Sequence, residues 1–333
     1  MLLPHRWLKI LLSIGSFIIL LMGFQVWQIK QEFFVQPASN TKKLITIPKG
    51  SSARKLSYIL QDNAVIRSPH VFLALLKYYD FSHHLKSGTY LLNPHDTVWS
   101  LVEKMERGQV YQINIQIIEG TRLCDLVKKL SESKDYHFTP SMLNELQNNY
   151  VSLEGLLFPS TYMQAYGESV LPVLKLAQKT MQEKLTEIWS GRDYQLPYQS
   201  EYELLVAASI IEKETAIEEE RRLISGVIVN RLKLGMPLQM DPTVAYGLPG
   251  CEHVVLKGKD IKVDSAYNTY RHRGLPPTPI AMVSRSSLMA AAHPHQTAFL
   301  YFVAKGDGSH LFSVEYEQQK KAIQQYLRVT NAN

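Results

Sequence analysis

Two glutamates stand at the end of the most apolar stretch in the second half of this chain, where a carboxyl group can become a proton donor. The stretch reads SEYELLVAASIIEKETAIEEERRLISGVIVNRLKLG from Ser200 to Gly235. Ser200 and Glu203 have the S-x-x-E spacing of a capping box, in which each side chain satisfies a free backbone N–H of the other, so a helix starts there. Leu204, Leu205, Val206, Ala207, Ala208, Ile210 and Ile211 cover nearly its whole circumference, which predicts a helix buried in a domain centre. Glu212 and Glu214 emerge at its C-terminal end. Residues two apart differ by about 200° around a helix, so at most one of the pair faces a given cleft. A carboxyl at the rim of an apolar helix, near the negative end of its dipole, has its charged form disfavoured twice. Its pKa then rises toward neutrality, as a general acid requires. The competing reading pairs both glutamates with Lys213, Arg221 or Arg222 on a solvated face, and helical periodicity favours neither residue over the other.

The segments that would surround such an acid follow it. A second helix is predicted from the acidic EEERR start, which includes Glu220, to Leu234, with Gly235 as its C-terminal cap. Then come QMDPTVAYGL (239–248), DSAYNTYRHRGLPPTPI (264–280) and AAAHPHQTAFLYFVAKGDGSHLFS (290–313). Pro242, Pro276, Pro277 and Pro279 stiffen these loops, while Gln239, Asp241, Thr243, Asn268 and Tyr270 supply amide, carboxylate, hydroxyl and aromatic groups. That mixture suits a polyhydroxylated, amide-bearing ligand such as an amino sugar. The same residue types beside prolines are also ordinary turn formers. FLYFVA reads as a buried strand and KGDGSH as a hairpin turn.

Upstream, Trp7–Trp27 is a nearly unbroken apolar run, and about 20 such residues cross roughly 30 Å of hydrocarbon as a helix. Arg6 and Lys9 precede most of it, so the N-terminus is expected in the cytoplasm and the rest of the chain outside. A cleaved signal peptide is the alternative, but no small-residue cleavage pattern follows the run. Gln28–Lys43 has no apolar period and is expected to be a juxtamembrane tether. From Leu44 a strand-turn-helix unit recurs around Gly50, His95 and Gly120. Each anchor is followed at one offset by Leu56, Leu101 and Leu126, then by Leu60, Met105 and Leu130. True repetition and coincidence both fit so short a match. Gly50 and Gly120 are expected to make turns at positive φ. The stretch 135–190 is expected to be mostly helical, with one amphipathic helix over Val170–Trp189, preceded by the loop-like EGLLFPSTY (154–162).

The excess of 36 basic over 30 acidic residues, a net charge of +6, is too mild to mark a nucleic-acid binder. Two cysteines, Cys124 and Cys251, exclude a zinc ribbon or a disulfide-stapled mini-domain; their spacing leaves pairing and free thiols both open. The signatures G-x-S-x-G, G-x-x-x-x-G-K-[ST], H-E-x-x-H and C-x-x-C are missing from the sequence, which disfavours hydrolase triads, P-loop NTPases and zinc peptidases. His293 and His295 have a metal-compatible spacing but no obvious third ligand, and His83 and His84 read as surface residues.

The motifs ASIIEKET, VIVNRLKLGMPLQMDPTVAYG, DSAYNTY, RGLPP and FLYFVAKGDGSHLFS, together with ITIPKGSSARKLSYIL, SGTYLL and EGLLFPSTY upstream, resemble in type and order the endolytic murein transglycosylase family, MltG or YceG-like. The resemblance covers the whole chain. It implies an α+β protein with an N-terminal single transmembrane helix, a LysM-like α/β subdomain and a mixed helical/β lytic-transglycosylase catalytic domain. The expected boundaries are 1–30 for stub and anchor, 31–43 for the tether, 44–133 for a LysM-like substrate-binding region, 134–194 for a helical connection and 195–333 for the catalytic domain. The implied activity is cleavage of the MurNAc–GlcNAc bond within nascent glycan strands to leave 1,6-anhydroMurNAc ends, on the outer side of the inner membrane, with no metal or other cofactor. The implied partners are peptidoglycan strands and, as neighbours, penicillin-binding synthases. A membrane-tethered wall-binding scaffold without catalysis is the alternative.

Lytic transglycosylases more widely carry Glu-Ser at the end of an apolar helix, and Glu214-Thr215 is the closer match, so the resemblance implies Glu214 as the acid. Glu212 is the alternative, and Glu220 a supporting position. Gln239, Asp241, Thr243, Tyr246, Asn268 and Tyr270 map to motif positions expected to line the cleft. The chain departs from the family pattern at Ser160, where Asp is usual, at Thr278, where Gly is common, and at Met282–Ser284, which replace an Asn-Pro-Gly turn. These departures put loop geometry and subsite preference in doubt.

Overall fold

The computed structural model describes residues 5–81, 84–147, 150–251 and 256–330. The chain forms two compact units, Met1–Ile113 with Ala165–Glu168, and Asn114–Gln164 with Ser169–Asn333.

The first unit opens with α1 (His5–Lys30), whose apolar side chains from Ile10 to Trp27 are largely exposed. It is long and apolar enough to cross a membrane. A π-helical turn over Gln31–Val35 continues it without a break. At the start of the expected tether, Phe33 is 1% exposed, and Glu32 Oε1 accepts from Arg67 N at 2.8 Å. Ile29 and Phe34 pack against the same core as Phe33. The strands β1 (Lys43–Ile47) and β2 (Gly88–Leu92) pair antiparallel, Lys43 opposite Leu92 and Ile47 opposite Gly88. The helices α2 (Ala53–Asp62), α3 (Pro69–Tyr78) and α4 (Val98–Arg107) start at Ser52, Ser68 and Thr97, each of whose side chains accepts a backbone N–H in the first turn.

The second unit contains β3 (Gln112–Ile117, whose first two residues belong to the first unit), α5 (Leu123–Glu132), β4 (Ser160–Ala165), α6 (Leu171–Ser190), α7 (Glu201–Glu214), α8 (Glu218–Lys233), α9 (Asp241–Gly247), α10 (Arg285–Ala292), β5 (Tyr301–Ala304), β6 (His310–Ser313) and α11 (Tyr316–Thr330). The units part at Ile113/Asn114, and Ile115, Ile117, Leu126 and Leu130 sink into the core that α6 and α7 also share. Pairing of β3 with β4 replaces the expected loop at the end of EGLLFPSTY with a strand. The strand-turn-helix unit occurs three times, as β1–α2, β2–α4 and β3–α5, and all six of its repeated apolar positions are buried. Gly50 and Gly120 make their turns at φ 74° and 71°. The apolar face expected for α6 is buried from Val173 to Ile188. β5 is half-buried where a buried strand was expected.

Every residue of α7 from Leu204 to Ile211 is buried. This helix is the central rod of the second unit, packed against α6, α8, α9 and α10. Its capping box forms in part: Ser200 Oγ accepts from Glu203 N at 3.2 Å, whereas Glu203 turns back to Gln199 N at 2.7 Å.

Candidate active site

The last residue of α7 is Glu214, and Thr215 behind it is buried and already extended. The Oε1 atom of Glu214 is shielded from solvent and has no hydrogen-bond partner. Burial, reinforced by the nearby Asp241 carboxylate, pushes its pKa from 4.5 to about 8. The acid is therefore neutral at pH 7 and holds its proton.

Asp241 is held in place from the far side. It is the first residue of α9 and accepts from the Tyr270 hydroxyl at 2.6 Å. Burial and the Asp241 carboxylate drive the Tyr270 pKa upward. Gln239, at φ 54° a rare left-handed non-glycine, directs Oε1 toward Arg231 Nη1 at 3.3 Å. Arg231 is buried on α8, and its guanidinium also donates to the carbonyls of Leu300 (2.6 Å), Pro237 (3.1 Å) and Leu238 (2.7 Å). Desolvation lowers its pKa. Asp241 and Tyr270 thus lie near enough to Glu214 to act on it electrostatically, and Arg231 fixes the turn that carries Gln239 into α9.

The family model of the YceG-like family matches residues 45–325. This chain belongs to that family. It is 32% identical over 320 residues to an endolytic murein transglycosylase of Bacillus subtilis (strain 168), across 89% of this chain and 88% of that one. It is 26% identical over 307 residues to an endolytic murein transglycosylase of Streptococcus pneumoniae serotype 2 (strain D39), with 80% of this chain but only 55% of the relative covered. A crystal structure of a yceG-like protein from Listeria monocytogenes superposes with a TM-score of 0.52 at 30% identity, over 85% of this chain and 99% of that one.

The remaining positions expected to act in this YceG-like chain divide by what their polar atoms do. Glu212 points away from Glu214, as the angle between them requires. Its Oε2 accepts from Ser284 N at 2.9 Å and from Ser284 Oγ, and its Oε1 lies 3.9 Å from Arg221. Arg221 also donates to Ser284 and Ser286. Glu220 accepts from His310 N at 2.8 Å and meets His310 Nδ1 at 2.7 Å, tying α8 to β6. Thr243 and Asn268 were expected in the cleft, but both are fully buried. Thr243 Oγ1 donates to Met240 O, and Asn268 Nδ2 to the carbonyls of Ile261 and Val263, so both side chains hold the protein's own backbone. His293 pairs with Asp193 at 2.8 Å, His84 is exposed, and His83 lies outside the described residues.

Sequence reasoning missed a further buried carboxyl, Glu154, whose only signal was its place at the head of an aromatic loop. It is 3% exposed, and burial raises its pKa from 4.5 to about 7. It accepts from Leu123 N at 2.9 Å and from the Tyr246 hydroxyl at 3.2 Å. Arg122 lies over the Tyr246 ring, 4.5 Å from its centroid, and donates to the carbonyls of Tyr246 (3.3 Å) and Gly250 (3.0 Å). A disulfide between Cys124 and Cys251 closes the same clasp. Tyr246 therefore belongs to the fastening between α5 and the end of α9, with the tilted ring of Tyr267 centred 4.7 Å from it.

Proposed function

We propose that this chain is a membrane-anchored endolytic lytic transglycosylase of peptidoglycan, with Glu214 as its acid. The observation that carries the reading is the shielded, unpartnered Oε1 of Glu214, which keeps its proton at neutral pH. The proton passes to the glycosidic oxygen between MurNAc C1 and GlcNAc C4 as the C1–O bond breaks. The resulting Glu214 carboxylate then takes the proton of the MurNAc C6 hydroxyl, and O6 closes on C1 to leave the 1,6-anhydro end. The sugar's own acetamido group stabilises the cationic centre, so a second carboxylate nucleophile is not needed. Tyr270 and Gln239 supply hydrogen-bonding groups at the rim, and Asp241 keeps Glu214 from ionising early.

The reading assigns the first unit to glycan binding. Its β1–α2–α3–β2 order supports a LysM-like subdomain within 44–133, and a cavity of about 530 Å³ lined by Gly50, Ser52, Arg54, Leu56, Leu85 and Ser87 is open to a sugar chain. The apolar α1 supports a single span of the inner membrane with the N-terminus inside and both units outside. Strands still being polymerised are the substrate, which makes the penicillin-binding synthases natural neighbours.

Purified chain incubated with peptidoglycan is expected to release fragments with 1,6-anhydroMurNAc ends, read by mass spectrometry. Their absence under all conditions would favour a wall-binding scaffold. Because the protonated form of Glu214 starts the reaction, kcat/KM is expected to hold through neutral pH and to fall as pH rises through about 8. A profile whose descending limb lies near the ordinary glutamate range would remove Glu214 from the role.

A further inference from the structure

The anchor and the first unit are joined without slack. Ile29, the buried Phe33 and Phe34 all pack against the core formed by Ile45, Leu60, Phe72 and Leu76. Gln36 N donates to Gln31 O, and Ala38 N to Asp96 O, both at 2.7 Å. The apolar run ends at Trp27. Ile29 is about 3 Å further along the axis and Phe33 about 9 Å, at 1.5 Å per residue. The headgroup layer on each side of the hydrocarbon is roughly 5–8 Å thick. If α1 spans the bilayer, the packed surface of the first unit begins inside that layer.

An aromatic patch adjoins this junction through Phe34. Phe34 lies 5.0 Å from Trp99 and 6.1 Å from Tyr79, Phe81 lies 5.3 Å from Trp99, and Tyr78 stands edge-on to Tyr79 at 5.0 Å. Tyr78 is 81% exposed, and Val35 and Tyr79 are exposed as well. Side chains on a helix lean toward its N-terminus, so the Phe34 ring sits on the bilayer side of its own backbone. Exposed Lys30 and Lys77 flank the patch in sequence, with Asp80 as the acidic neighbour. Tyrosine and tryptophan favour the headgroup layer because a ring face is apolar while the hydroxyl or indole N–H stays wet.

We infer that Phe34, Tyr78, Tyr79 and Trp99 form a lipid contact that seats the first unit in the headgroup layer of the exported leaflet. The inference rests on the reading of α1 as a span and adds a second point of contact to it. Seating of this kind holds the unit against the bilayer and prevents it from swinging on a leash.

The test uses the full chain in vesicles of phosphatidylcholine and phosphatidylglycerol, some prepared with acyl chains brominated near the carbonyl end. One reporter carries Tyr78→Trp with Trp7, Trp27, Trp99 and Trp189 replaced by Phe. A second keeps Trp27 as its sole tryptophan, and circular dichroism checks that both fold. Blue-shifted emission from position 78, with bromine quenching comparable to that of Trp27, is expected. Water-exposed, unquenched emission from position 78 beside a quenched Trp27 overturns the contact and leaves the span standing. An unquenched Trp27 overturns both. Replacing Tyr79 with serine in the first reporter is expected to weaken the quenching, and unchanged quenching would show that lipid reaches position 78 without the patch.

Discussion

Glu214→Gln is expected to lower kcat/KM for strand cleavage by roughly 10²–10⁴, the usual worth of a positioned general acid, with no loss of folded stability. Glutamine fills the same volume but cannot release a proton to a leaving oxygen. Its effect on the fold follows from the environment of the carboxyl: Oε1 is shielded and unpartnered, so no native hydrogen bond to that atom is removed. The folded pKa of Glu214, about 8, lies above the ordinary 4.5. A raised carboxyl pKa contributes stability that is fully present below about 4.5 and is lost as pH rises through about 8. Glutamine does not titrate. The wild-type melting temperature should therefore decline relative to that of Glu214→Gln between these two pH values. Full cleavage by the glutamine variant would place the acid elsewhere, whatever the melting curves show.

What the sequence made visible was local. The buried rod α7 follows from an apolar run with a capping signal, and the three strand-turn-helix units from apolar residues at fixed offsets behind a turn. Both depend on neighbours within about ten residues, linked by the three- and four-residue steps of helical periodicity. The parts that escaped depend on distant residues. Glu154 looks like a loop residue until α5 brings Leu123 N–H and α9 brings the Tyr246 hydroxyl to it. The pairing of Cys124 with Cys251 closes across 127 residues. Phe33 shares a helical face with Ile29, but its burial depends on Phe72 and other residues far along the chain. Thr243 and Asn268 show a different limit: residue type tells what a side chain can bond, but not whether a ligand or the protein's own backbone takes the bond. The bifurcation at the end of α7 was legible in outline, because the helical angle separates Glu212 from Glu214. The different surroundings of Glu212 come from Ser284 and Arg221, which lie 72 and nine residues from it.

That separation leads to the opposite expectation for Glu212. Its side chain is 4% exposed, and it accepts both the backbone N–H and the hydroxyl of Ser284, the N-cap of α10. Glu212→Ala would leave these two donors and one face of Arg221 buried without their acceptor. Removing one partner of a buried charged pair costs about 3–5 kcal/mol. The lower end applies here, because the closest approach to Arg221 is 3.9 Å and Arg221 retains Glu218 and the two serines. Chemical denaturation should show that loss directly. Glu212→Gln keeps an oxygen for Ser284 and gives up only the charge, so a smaller loss is expected, with cleavage per folded molecule nearly unchanged. The two glutamates thus make a paired experiment in which one variant loses turnover and keeps its fold while the other weakens the fold and keeps turnover. If Glu212→Gln instead lost cleavage at full stability, the two roles would have to be exchanged, and the shielded carboxyl at the end of α7 would lose its chemical assignment.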